Sequence, residues 1–281
     1  MKYYVLYNPY SDNCKGEEKA KEIEKVLSGN EFVYENVTKI EDYKAFFSGI
    51  EKDAEVIICG GDGTLNRFAN NTAEIEFTHK ISYFACGSGN DFLRDMGDNG
   101  GDPVPMNAYL KNLPTVTVKG NTYRFLNGVG YGIDGYCCEV GDKLREEKPK
   151  KKINYTLIAI KGLLFHYKPT GGTIIVDGKE YRFEKIWLAP AMFGRCYGGG
   201  MYPTPGQTRE DDKLSVLVFH GSSKIKTLMI FPSIFKGEHV KNEKYVTILS
   251  GKEITVKYDA PRPVQIDGET ILEVSEYTAR R

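Results

Sequence analysis

No stretch of the 281-residue chain approaches the ~20 consecutive apolar residues that a membrane-spanning helix requires. The best candidate, "YTLIAIKGLLFHY" at 155–167, is too short and carries Lys161. An excess of charge of either sign is also missing. With 38 Lys+Arg against 38 Asp+Glu the chain lacks the basic excess of a nucleic-acid binder, so no nucleic-acid partner is expected. Six cysteines form no C-x-x-C pair, and the N-terminal "MKYYVLY" reads as a short strand rather than a signal peptide. The expectation is free thiols in a cytoplasmic protein. The four histidines show no metal-ligand spacing, and no repeat or low-complexity segment occurs. What these absences leave is an ordinary globular chain, long enough for two domains.

Against that background the segment "AEVIICGGDGTLNRFANNT", residues 54–72, stands out. Val56, Ile57, Ile58 and Cys59 form a continuous apolar run, the pattern of a strand covered on both faces in a parallel sheet. It stops on Gly60-Gly61-Asp62-Gly63-Thr64. Glycines allow close backbone approach, and Thr64 can cap a following helix. Strand, glycine turn and helix N-terminus together suit an anion such as phosphate. A tight connecting turn with no ligand is the plainer alternative.

The first ~120 residues alternate strand and helix patterns, as an α/β sheet does. Strands are expected at 2–8, 31–37, 55–59 and 80–85, with helices at 15–29, at 41–50 and from Thr64. From residue 121 the character becomes β-rich and antiparallel. Helices are expected at 134–146, 154–167 and near 224–235, and a hairpin turning at Asp177-Gly178. The expected architecture is a Rossmann-like α/β nucleotide-binding domain at 1–120 and an antiparallel β-sandwich domain at 121–269 that takes the substrate. Residues 270–281 are expected to pack back on the first domain.

A second glycine cluster, "ACGSGNDFLRDMG" at 85–97, follows strand 80–85 as the first follows 55–59. Gly87, Ser88 and Gly89 can present amides and a hydroxyl to a further phosphate group, with Asn90 and Asp91 at the next helix start. Two such turns after neighbouring parallel strands favour phosphate binding over coincidence. Neither matches G-x-x-x-x-G-K-[ST] or G-x-G-x-x-G, which disfavours a P-loop or a dinucleotide dehydrogenase.

These motifs resemble those of the diacylglycerol kinase-like lipid kinases, which include bacterial diacylglycerol kinases and the sphingosine and ceramide kinases. Asn8-Pro9 resembles the family's N-terminal nucleotide loop, Gly60 to Asn66 its "GGDGT-x-N" signature, and Gly87 to Asp91 its "GT-x-ND" signature. "NGVGYGIDG" (127–135), "GGGMYPTPGQTREDDKL" (198–214) and "VQIDGE" (264–269) are similar to later segments, in the right order. Departures are Arg67 for the usual Glu, Ala85 for Pro, Ser88 for Thr, and Asp212 for Gly.

The resemblance implies a two-domain ATP-dependent lipid kinase using Mg²⁺, with its site in the cleft between the domains. Asn8, Gly60, Gly61, Asp62, Gly63, Thr64, Asn66, Gly87, Ser88 and Asn90 would hold the nucleotide. Asp62 and Asp91 suit Mg²⁺, which favours carboxylates and keeps waters. Asp62 otherwise bonds its own turn. Asp211 is the carboxylate matching a structural metal site of some bacterial members. Glu269 would accept the proton of the lipid hydroxyl, supported by Asp267, with Asp91 and Asp134 beside the substrate. Asp134 reads equally well as a helix N-cap.

The run "KPKKK" (148–152) is a solvated loop or an attraction to anionic headgroups, which makes a membrane surface an expected partner alongside the lipid. A homodimer is compatible with all of this. Two other readings stay open. One is a kinase of a soluble acceptor, since NAD kinases share a GGDG loop, and the other is a non-catalytic nucleotide- or lipid-binding regulator. "GSGNDF", "GGGMYPTP" and "QIDGE" favour the lipid-kinase branch.

Overall fold

The computed structural model describes residues 1–87, 89–97, 101–147 and 153–281. Ser88 and the basic run 148–152 lie outside the described residues. The chain separates into two compact units, Met1–Leu113 and Pro114–Arg281.

The first unit is built on a five-stranded sheet. Its strands are β1 (Lys2–Tyr7), β2 (Glu31–Asn36), β3 (Glu55–Gly60), β4 (Ile81–Ala85) and the short β5 (Val104–Pro105), in the order β2-β1-β3-β4-β5. The first four pair in parallel and β5 runs against β4. Residues Val56 to Gly60 of β3 are all buried, as the unbroken apolar run requires of a strand covered on both faces. Helix Tyr43–Gly49 starts where the Asp42 carboxylate accepts the amides of Lys44 and Ala45, at 2.8 and 3.1 Å. The single helix expected at 15–29 is instead two short ones, Gly16–Ala20 and Ile23–Val26. Their buried Ala20 and Ile23 join Val5, Ile57 and Cys59 in one core, so tertiary burial keeps the face although the helix is broken.

The second unit is antiparallel. Its strands are β6 (Thr115–Val118), β7 (Asn121–Arg124), β8 (Gly128–Tyr131), β9 (Thr170–Val176), β10 (Lys179–Ile186), β11 (Ala191–Met192), β12 (Leu214–Phe219), β13 (Val246–Gly251), β14 (Glu253–Ile266) and β15 (Glu269–Arg280). They follow the order β13-β12-β11-β8-β14-β15-β6-β7, with β9 joined to β14 and β10. The β9–β10 hairpin turns on Asp177 and Gly178, whose φ angles of 48° and 82° are those of the two-residue turn the sequence suggested. The boundary lies at 113/114 rather than 120/121, because β6 pairs with β15. Residues 270–280 accordingly run within β15, bonded to β14 and β6 in this unit. A core of Ile133, Leu163, Trp187, Leu217, Phe219 and Ile234 packs helices against the sheet.

Candidate functional site

Both glycine turns leave the carboxyl ends of adjacent parallel strands, β3 and β4, where open α/β sheets hold ligands. They are zipped together. The Asp62 amide donates to the Gly89 carbonyl at 2.9 Å, and the Cys86 amide donates to the Gly60 carbonyl at 2.9 Å. A β-carbon on Gly87 would lie 2.7 Å from Gly61 Cα and 2.8 Å from its nitrogen, so only two glycines let the loops touch. One on Gly60 would strike the Thr64 hydroxyl at 2.5 Å. Gly63 is different. It sits in the first turn of helix Asp62–Asn71 without positive φ, and a β-carbon there would meet nothing within 4 Å. Alanine would favour that helix by about 1 kcal/mol. Neither packing nor backbone asks for glycine at Gly63, so the space beside it suits a ligand lying close to the backbone. Gly89 is similarly open, with only Asp62 Oδ2 at 4.0 Å.

The Asp62 carboxylate extends beyond its own turn. It reaches across to the second loop, where Oδ2 accepts the Asp91 amide at 2.7 Å and Oδ1 accepts the Phe92 amide at 3.3 Å. It thereby caps helix Asp91–Asp95, whose own N-cap Asn90 makes no side-chain cap. Thr64 does not cap either. Its Oγ1 accepts from Asn8 Nδ2 at 3.0 Å, while Asn8 Oδ1 accepts the Tyr10 amide, tying the end of β1 to the first turn. Asn66 is buried on that helix, and Arg67, the reversed charge, lies on its exposed face. Asp91 is buried beside Arg94 Nη1, 2.6 Å from Oδ1.

No group of three or more His, Cys, Asp or Glu suited to a metal occurs among the described residues. Mg²⁺ does not require one, since it binds through one or two carboxylates and retained waters. Asp62, Asp91 and Asn90, whose buried Oδ1 has no hydrogen-bond partner, supply only oxygens, and that chemistry fits a hard cation. Asp211 fits less well. Its Oδ2 accepts from the Thr208 amide at 2.9 Å and Gln207 Nε2 at 3.3 Å, closing a local turn, and Asp212 faces Lys252 at 3.1 Å.

In the second unit Asp134 lies in the first turn of helix Ile133–Glu147, buried over β8. A β-carbon on Gly130 would stand 1.6 Å from its Oδ2, so β8 needs glycine there. Asp134 Oδ1 accepts the Gly135 amide at 2.9 Å and Oδ2 accepts the Tyr197 hydroxyl at 3.1 Å. Burial pushes its pKa up to about 6 from the usual 3.8, against the opposing bonds from Gly135, Tyr197 and Gln265. Burial, with the Asp134 carboxylate beside it, raises the Tyr197 hydroxyl and keeps it protonated.

A carboxyl raised on folding adds stability that is complete below its unfolded pKa and is lost as pH rises through the folded one. Wild type is therefore expected to lose about 3 kcal/mol from this group between about pH 4 and about pH 6.5. Asp134→Asn should show no such loss. Urea denaturation of both proteins across that range checks it, and parallel pH dependences would count against it.

Glu269 opens β15 and is exposed, opposite Ile266 across a turn in which Asp267 and Gly268 both have positive φ. Asp267 is committed to structure. Its Oδ1 accepts the amides of Asn127 and Gly128 at 2.8 and 3.1 Å, and Oδ2 accepts that of Leu126. Two participants escaped the sequence reading. Tyr197 sits 63 residues from its partner Asp134. Arg209, inside the 198–214 segment but given no role there, is buried, with Nη2 donating to Asn127 Oδ1 at 2.7 Å.

A family model described as Diacylglycerol kinase catalytic domain matches residues 2–117, and one described as YegS C-terminal NAD kinase beta sandwich-like domain matches residues 127–278. The diacylglycerol kinase of Mycobacterium tuberculosis (strain ATCC 25618 / H37Rv) is 26% identical over 198 residues, 68% of this chain and 63% of that protein. The diacylglycerol kinase of Bacillus subtilis (strain 168) is 24% identical over 230 residues, 76% of this chain and 70% of that protein. A solved structure of a diacylglycerol kinase from Bacillus anthracis str. Sterne shares the fold, with a TM-score of 0.64 at 20% identity, covering 100% of this chain and 94% of that one. Both units are thus matched in sequence order, and the chain belongs to the diacylglycerol kinase-like lipid kinase family.

Proposed function

We propose that this chain transfers the γ-phosphate of ATP to the hydroxyl of a lipid of the diacylglycerol type. The observation that carries the reading is the pair of zipped glycine loops at one edge of the first sheet, with open space beside Gly63 and Gly89. Asn8, Thr64 and the two loops hold the phosphates, and Asp62 keeps the second loop in place through the Asp91 and Phe92 amides. Asp62, Asp91 or both would hold Mg²⁺, which would supply charge neutralisation on the phosphates. In the second unit Glu269 takes the proton of the lipid hydroxyl as its oxygen bonds the γ-phosphorus and ADP leaves. Asp134, held by Tyr197, orients that hydroxyl. The acceptor lies in a membrane, so the enzyme works at a lipid surface.

The full chain incubated with γ-labelled ATP, Mg²⁺ and a mixed lipid extract tests the reading. Label should move into the organic phase. Transfer to a soluble acceptor such as NAD, or none to any acceptor, would overturn it.

A further inference from the structure

Helix Tyr155–Lys161 and the π-wound turn Gly162–His166 that continues it are apolar on two sides. On the inner side Ile158, Ala159 and Leu163 join a core that also receives Ile230 from helix Lys224–Ile230. On the outer side Leu157, Ile160 and Leu164 are exposed at i, i+3 and i+7, with Phe165 71% exposed beside them. Helix Lys224–Ile230 adds Ile225 and Met229, 73% and 70% exposed. The two outer faces adjoin, because Lys224 Nζ donates to the Leu164 carbonyl at 3.1 Å. Large exposed apolar side chains gathered on one face of a globular surface mark a contact site.

Charge decides what meets it. Residues 153–168 and 221–237 hold five lysines and no Asp or Glu. A second copy set on this face across a two-fold axis would oppose lysines to lysines. An anionic bilayer instead offers opposite charge to the lysines and hydrocarbon to Phe165, Ile225 and Met229. The geometry points to this face as the one that docks on an anionic lipid bilayer, an inference that rests on the lipid reading of the acceptor.

The test uses the full chain without ATP, sedimented with vesicles of phosphatidylglycerol and phosphatidylcholine. The triple variant Phe165→Ser, Ile225→Ser, Met229→Ser should partition at least about ten-fold more weakly than wild type. Lys161→Gln with Lys168→Gln, which spares every apolar contact, should weaken binding too and make it less salt-sensitive. Either variant binding like wild type, or wild type ignoring these vesicles, overturns the assignment. So does a wild-type dimer that the triple variant turns to monomer with vesicle binding unchanged, which gives the face to a second copy. Phosphorylation of detergent-dispersed lipid, measured in parallel, should be equal in wild type and variants. Its loss in all of them sinks the kinase reading and leaves the docking result standing.

Discussion

Asp62→Ala is expected to lower phosphoryl transfer by about a thousand-fold or more, a loss typical of removing electrostatic support from a developing charge. The structure gives two reasons, and they can be separated. As a carboxylate beside the glycine loops, Asp62 can place Mg²⁺ and its charge on the proposed reading. As a bridge, it satisfies the amides of Asp91 and Phe92 and fixes the second loop against the first. Two buried bonds to a charged acceptor contribute roughly 2–4 kcal/mol, so the variant's first unit should also melt several degrees lower while remaining folded at room temperature. Asp62→Asn keeps an acceptor oxygen for one amide and removes the charge. If it is as inactive as Asp62→Ala yet nearly as stable as wild type, charge placement dominates. If it restores transfer, the bridge was the whole contribution. Transfer near wild type in Asp62→Ala would remove Asp62 from the site altogether.

Glu269→Gln is expected to lower turnover by about 100-fold or more and to leave ATP affinity nearly unchanged. Its side chain stands in the second unit, exposed at the start of β15, whereas the two glycine loops belong to the first. The turn before it is held by Asp267 on the amides of Leu126, Asn127 and Gly128, none of which the change touches. Gln keeps the size and loses the basicity, so the base alone is tested. Nucleotide binding by calorimetry and single-turnover transfer separate the two quantities. Weakened ATP binding with turnover spared would end the division of labour between the units. No change in either would pass the role of base to Asp134.

The two glycine turns were legible because their signal is local. Glycines after a four-residue apolar run can be seen in any window of the chain, and so can the Asp177-Gly178 hairpin. What one end of a bond does at a distance was not legible. Nothing near Asp62 announces that its carboxylate caps a helix 29 residues on. Nothing near Thr64 shows that its hydroxyl meets Asn8, 56 residues before it, in place of its own helix. The last strands read as short alternating pieces because Pro261 and Pro263 interrupt the pattern. In the structure β14 runs unbroken for 14 residues and absorbs them at an irregularity between Lys257 and Val264. Asp134 showed its two possible roles in sequence, but its raised pKa depends on burial that only the fold supplies.

The hold of Asp267 on residues 126–128 spans about 140 positions of chain, and β14 lies between β8 and β15 in the sheet. A ribosome delivers the two sides of that contact at opposite ends of the second unit's synthesis. Until the final strands emerge, β8 lacks a neighbour on one side and β6 has no partner in β15. The first unit carries all its strands within 113 residues and faces no such wait. Closing so long a loop is slow and leaves sheet edges open meanwhile. During synthesis, then, the second half of the molecule is where chaperones have most to cover.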